Sequence, residues 1–223
     1  MRSYNQYCPI ARSLDVIGDR WTLLVIRELR FRDSRYSDLR EALPGIATNL
    51  LGDRLRQLEA DGLIESYEAP RPVHASVYRL TPRGHQLSPV LRALVEWGGP
   101  LLATGQGGDT FRTHWLALEL PALFEGVDVA DLAPLTILVH TGDQPATIEL
   151  TDIGFAMNVG VAVSSEQAVV MVDGSPEDVF ALLTGMAATS NRAGATVRGS
   201  RDAVRRLHSL AARSRLAHPP TAG

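Results

Sequence analysis

The sequence predicts an α+β protein in two parts: a helical N-terminal domain closed by a β-hairpin, then a C-terminal domain of sheet and helix. Three observations carry that expectation. Apolar residues recur at three- and four-residue spacing through most of the first hundred positions, the period of one helix face. Between 135 and 172 they gather instead into short β-branched runs separated by turn residues, which is a strand pattern. Between these regions Gly105-Gln106-Gly107-Gly108-Asp109 is rich in flexible residues, which places a boundary there and domains at 1–104 and 110–216.

The first helix opens at Pro9, whose fixed φ and missing N–H suit a first helical turn. It carries Ile10, Leu14 and Ile17 on one face and ends at Gly18-Asp19. A second helix, with Trp21, Leu24, Val25 and Leu29 at helical spacing, runs to about Arg30, and a third from about Tyr36 to Ala42. Leu43-Pro44-Gly45 breaks the chain, and a fourth helix from about Thr48 to Ala60 sets Leu51, Leu55 and Leu58 on one stripe before Asp61-Gly62 stops it. Leu63 to Glu68 and Val77 to Leu80 read as the two strands of a hairpin with a basic tip. Thr81-Pro82 then caps a long helix, expected to reach about Ala103, with Leu87, Val90, Leu91, Leu94, Val95 and Leu101 as an apolar stripe that requires a partner.

Composition narrows the function classes. Hydrophobic residues make up 45% and charged residues 21%, ordinary for a globular protein. No apolar run approaches the roughly 20 residues that span a bilayer, and no signal layout opens the chain, so the expected location is the cytoplasm, with no membrane partner. The single cysteine, Cys8, excludes an internal disulfide and a four-thiolate zinc site within one chain. The net charge of -3 hides an asymmetry: residues 1–104 hold 14 arginines against 12 carboxylates, net +2, and 105–223 hold 8 against 13, net -5. The first part is thus the one suited to meeting phosphate.

Helix, tight turn and helix followed by a hairpin is the layout of a winged helix-turn-helix, in which the second helix enters the major groove of double-stranded DNA. With Leu51, Leu55 and Leu58 inward, 100° per residue turns Asn49, Gly52, Asp53 and Arg56 outward, with Thr48 at the helix start and Arg54 on a flank. Asparagine pairs two-fold with adenine, arginine with guanine or phosphate, and Gly52 admits a close backbone approach. Asp53 sits less comfortably near phosphate, so it either accepts from a cytosine amino group or orients Arg56 or Arg54. Arg71 and His74, at the hairpin tip, are placed to meet the minor groove or backbone.

Cys8-Pro9-Ile10-Ala11, Leu14 through Leu24, Leu43-Pro44-Gly45-Ile46, Thr48 to Leu51, Asp53 to Glu59, Gly62-Leu63-Ile64 and Tyr78-Arg79-Leu80-Thr81 occur in an order that closely resembles the HxlR-type branch of the MarR-like winged-helix regulators, over about residues 5–102. The resemblance implies a homodimer built from the N-terminal and last helices, bound to a pseudo-palindromic operator. Two departures are visible: Ala47 stands where a serine cap is common, and Val73-His74-Ala75-Ser76 differs from the usual wing. In some relatives a cysteine at the position of Cys8 senses oxidants or electrophiles. The resemblance therefore offers a redox-sensor role for Cys8 beside that of a small hydrophobe buried in the dimer interface.

In the second part, runs at 135–139, 146–150, 155–163 and 168–172 read as strands. Ser175-Pro176-Glu177-Asp178 starts a helix, and 195–198 and then Ser200 to about Leu216 give a last strand and helix. Residues 173–185 and 194–200, in that order, resemble the sterol carrier protein fold, which implies an apolar cavity between sheet and helix. Phe124, Phe155, Met157, Met171, Phe180, Leu183 and Met186 are its candidate lining, for an apolar small-molecule effector or, in a rival reading, for a lipid carrier or enzyme. His114, His140 and His208 have no metal spacing, Asp128 and Asp131 lie in a turn-like stretch, and no phosphate loop or nucleophile elbow occurs, so neither catalysis nor a cofactor is expected.

Overall fold

Pro9 opens the first helix, and in this computed structural model α1 spans Pro9–Ile17, followed by α2 (Thr22–Phe31), α3 (Tyr36–Ala42) and α4 (Thr48–Ala60). Residues 3–70, 75–160, 169–186 and 194–217 are described. Val161 to Val163, expected to extend a strand, and the tail beyond Ala217 lie outside them. The chain divides into two units, Met1–Leu91 and Arg92–Gly223.

In the first unit, Val25, Ile26 and Leu29 of α2, Leu39 of α3 and Leu51, Leu55 and Leu58 of α4 are buried together with Leu43 and Ile46 of the turn. Each such leucine contributes roughly 1.5–3 kcal/mol by leaving water. The hairpin is β2 (Ile64–Glu68) against β3 (Ser76–Leu80), antiparallel with Ile64 opposite Leu80. A two-residue strand that the sequence reading lacks, β1 (Ser34–Arg35), adds to the other edge of β3. Trp21 takes the N-cap position of α2 and does not lie within the helix.

The long helix expected from Pro82 to Ala103 is three pieces. The first is α5 (Pro82–His85), capped by the Thr81 hydroxyl accepting from the Gly84 N–H; the second is α6 (Ser88–Gly98); a 3₁₀ turn at Gly99–Thr104 follows. Pro89 and Pro100 account for the breaks, since neither has an N–H to donate to the carbonyl four residues earlier. Gly84 is required by packing: a Cβ there would sit 2.1 Å from the Leu63 carbonyl oxygen.

The division between the units falls within α6, upstream of Gly105–Asp109. The reason lies in the second unit's own packing. Leu216 fills the space above Gly99, Val95 packs on the second core, and Glu96 pairs with Arg215. The second unit adds α7 (Leu116–Leu123), absent from the sequence reading, then β4 (Leu135–His140), β5 (Ala146–Thr151), β6 (Gly154–Val159), β7 (Val169–Asp173), α8 (Pro176–Leu183), β8 (Thr196–Gly199) and α9 (Arg201–Arg213). Its sheet runs β6-β5-β4-β7-β8, with β4 and β7 parallel and every other pair antiparallel. Leu135, Ile137, Val139, Ile148, Leu150, Val170 and Val172 share one face of it, in a core that also holds Leu120, Leu123, Val179, Phe180, Leu183, Leu207 and Leu210. The structure is therefore α+β, as the sequence predicts.

Candidate nucleic-acid interface

The site is built on the turn between α3 and α4. The Arg35 N–H donates to Asp38, closing the first turn of α3, and Gly45 takes φ +88°, which a side chain would resist. Buried Leu43 and Ile46 anchor the turn, and the Ile46 N–H donates to the Leu43 carbonyl at 3.2 Å. The Tyr36 hydroxyl donates to the Thr48 carbonyl at 2.7 Å, a strut between the starts of the two helices that spacing in sequence does not reveal. Ala47 caps α4 without a side-chain bond, as expected from the missing serine.

Along α4, Thr48, Asn49, Asp53 and Arg56 are exposed and Gly52 is half-buried, opposite the leucine stripe. Leu50 is also exposed, an apolar member of this face that the sequence reading leaves out. Arg54 departs from the expected flank position. Its side chain is only 12% exposed and pairs with Asp19, in the turn between α1 and α2, so it braces α4 from within the unit. Arg56 pairs with Asp53 on the outer face.

On the hairpin, Glu65 accepts from Arg79 Nε at 2.7 Å, across the strands from it, and the Arg79 guanidinium lies 5.0 Å from the centre of the Tyr67 ring. The Tyr67 hydroxyl donates to Asp33 at 2.9 Å, and that bond pushes its pKa above the usual phenol value. Burial does the same for Tyr78, and the negative charge of Glu59 adds to it. Arg71 and His74, expected at the wing tip, lie outside the described residues.

Cys8 is the N-cap residue of α1 and is partly exposed. Of the residues considered for a cavity in the second unit, Phe124, Phe180 and Leu183 belong to the core, and Phe155, Met157 and Met186 pack partly buried against it, with the Phe124 and Phe155 rings 5.2 Å apart. Met171 falls on the other face of the sheet. It alternates with Val170 and Val172, which point into the core, so it cannot line a cavity on their side.

Three of the scattered titratable groups, Asp128, Asp131 and His140, have structural partners. Asp131 takes both guanidinium nitrogens of Arg213, a pairing that lowers its pKa; Asp128 accepts the Ala130 N–H; and His140 Nδ1 lies 2.9 Å from Asp173. Among the described residues no three of His, Cys, Asp or Glu are grouped to hold a metal ion, and no helix is long and apolar enough to cross a membrane.

Residues 16–105 match the model of the HxlR-like helix-turn-helix family. The HTH-type transcriptional regulator sll1512 of Synechocystis is 40% identical over 95 residues, which are 43% of this chain and 70% of that protein. YtfH of Escherichia coli K12 is 35% identical over 95 residues, 42% of this chain and 75% of its own length. YvaP of Bacillus subtilis is 29% identical over 94 residues, 42% of this chain and 87% of its own length. All three are named as HTH-type transcriptional regulators and none as an enzyme. The chain belongs to the HxlR-like helix-turn-helix family of DNA-binding transcriptional regulators.

Proposed function

We propose that the protein is a cytoplasmic homodimeric repressor that reads a pseudo-palindromic operator with α4, and that its second unit takes an apolar small-molecule effector. The observation that carries the reading is the outer face of α4, where Thr48, Asn49, Asp53 and Arg56 stand exposed over three fully buried leucines. Asn49 suits an adenine edge and Arg56 a guanine edge, while Arg71 and His74 of the hairpin belong to the neighbouring minor groove or backbone. Arg54 drops out of this set as a brace. Support for the dimer comes from apolar side chains left exposed, Ile10 and Leu14 on α1, and separately Val90, Leu94 and Trp97 on α6. Repression follows from occupancy, because a dimer seated over a promoter excludes polymerase without further contacts. The effector role is supported by the second unit's sheet, with helices packed on one face and half-buried Phe155, Met157 and Met186 beside the core.

The test is binding to genomic DNA fragments, the protein's own promoter region included, at two salt concentrations, with Asn49→Ala and Arg56→Ala beside wild type. Specific binding is expected to weaken with salt and to lose about 1–3 kcal/mol in each variant. If no fragment is preferred and both variants behave as wild type, α4 is not the reading helix.

A further inference from the structure

Helix α4 carries two arginines, and the structure gives each a different aspartate. Arg54 turns inward to Asp19, whereas Arg56 stands on the outer face, 73% exposed, with Nη2 on Oδ1 of Asp53. Asp53 lies three residues earlier on the same face and is itself 63% exposed. Gly52 leaves the space beside that pair open. A Cβ built there would stand 3.5 Å from Arg56 Nη1, so the guanidinium lies back along the helix over a position that has no side chain.

We propose that Asp53 is a specificity-determining positioning residue, holding the Arg56 guanidinium for a guanine edge and denying it to phosphate. This rests on α4 being the reading helix. A free exposed arginine is drawn to the nearest phosphate whatever the sequence, and so adds affinity without discrimination. A carboxylate bonded to Nη2 cancels much of that attraction and repels a phosphate oxygen that approaches the pair. The O6 and N7 atoms of guanine carry no net charge and tolerate the neighbouring carboxylate. They accept two hydrogen bonds from one planar fork, and Nη2, having given one hydrogen to Asp53, keeps its second to complete such a fork with Nη1 or Nε.

The experiment selects sites from a randomised DNA pool with wild type, Asp53→Asn, Asp53→Glu, Arg56→Ala and the Asp53→Asn/Arg56→Ala double variant, then measures each on the wild-type site and on a shuffled duplex. Asp53→Asn is expected to bind the shuffled duplex about two- to tenfold tighter, because an anion has been removed, and the selected site no tighter. Discrimination then falls by at least that same factor, about two- to tenfold. Asp53→Asn and Arg56→Ala are expected to lose the same guanine preference, the double variant to discriminate no worse than Arg56→Ala, and Asp53→Glu to keep the preference. Equal tightening on both duplexes overturns the proposal. So does loss of preference at a position other than the one Arg56→Ala affects, which would make Asp53 a direct reader of cytosine. A wild type that selects no sequence overturns the reading of α4 and this proposal with it, a result distinguishable from either of the other two.

Discussion

Asp143, in the turn between β4 and β5, shows how one carboxylate organises its surroundings. It accepts the Thr113 N–H at 2.9 Å and Arg112 Nη1 at 3.2 Å, while the Thr113 hydroxyl donates to the Thr141 carbonyl at 2.9 Å. The neighbouring Gly142 adopts φ +62°, and a Cβ on it would crowd Phe111 and Thr113 at 2.9 Å. Partial burial pushes the Asp143 pKa up, but the Thr113 N–H and the Arg112 guanidinium outweigh it and hold the group below its ordinary 3.8. A folded-state pKa below the unfolded one contributes stability above the unfolded value, and that stability is lost as pH falls through the folded value. Asp143→Asn is therefore expected to cost about 1–2 kcal/mol near pH 7, with the gap to wild type closing below about pH 4. Thermal unfolding of both proteins from pH 7 to 3 measures it; a gap independent of pH would mean that the carboxylate's charge has no part in the effect.

At the scale of the element, α6 leaves an apolar stripe exposed. Leu91 is buried, yet Val90, Leu94 and Trp97, spaced four and three apart along one stripe, are exposed, Trp97 by 75%. A tryptophan left so open contributes little to its own chain's packing, and aromatic side chains of this kind anchor protein interfaces. In the proposed dimer this stripe is covered. Trp97→Arg should then leave the fold intact, since the site is exposed, and shift the protein from twice the 24.2 kDa chain mass to once that mass in sedimentation equilibrium at micromolar concentration. A wild type that sediments as one chain, or a variant that stays paired, counts against α6 as the dimer helix.

At the scale of the molecule, each unit has its own buried core, and the family match ends at residue 105. The proposed effector acts by population shift: a ligand that prefers one dimer conformation changes operator affinity only by its differential binding free energy. Native mass spectrometry of the purified protein is expected to reveal a co-purified apolar molecule. Its addition to ligand-free protein should change operator affinity about 5–150-fold. If no such molecule is bound, and fatty-acid or sterol probes leave operator binding unchanged, the second unit is a structural support for the dimer.

The helices of residues 9–60 were legible in the sequence because local rules decide them. Pro9, Leu43-Pro44-Gly45 and Asp61-Gly62 punctuate the chain, and α3 and α4 end where those signals put them. The outward turn of Asn49, Asp53 and Arg56 followed from helical period alone. Pro89 and Pro100 also stood in the sequence, and the apolar stripe over 87–101 outweighed them in the reading although a missing N–H overrides periodicity. The structure alone decided what depends on partners distant in the chain. Helical period sets Arg54 on a flank and Arg56 outward, but the ion pair that holds Arg54 to Asp19, thirty-five residues before it, appears only in the structure. Likewise the strand character of β7 was evident from Val169 to Val172. Its parallel seat beside β4, which sends Val170 and Val172 into the core and Met171 to the other face, is a matter of register between segments thirty-three residues apart. Local backbone preference makes an element, but the direction in which its side chains act is set by the contact that closes over it.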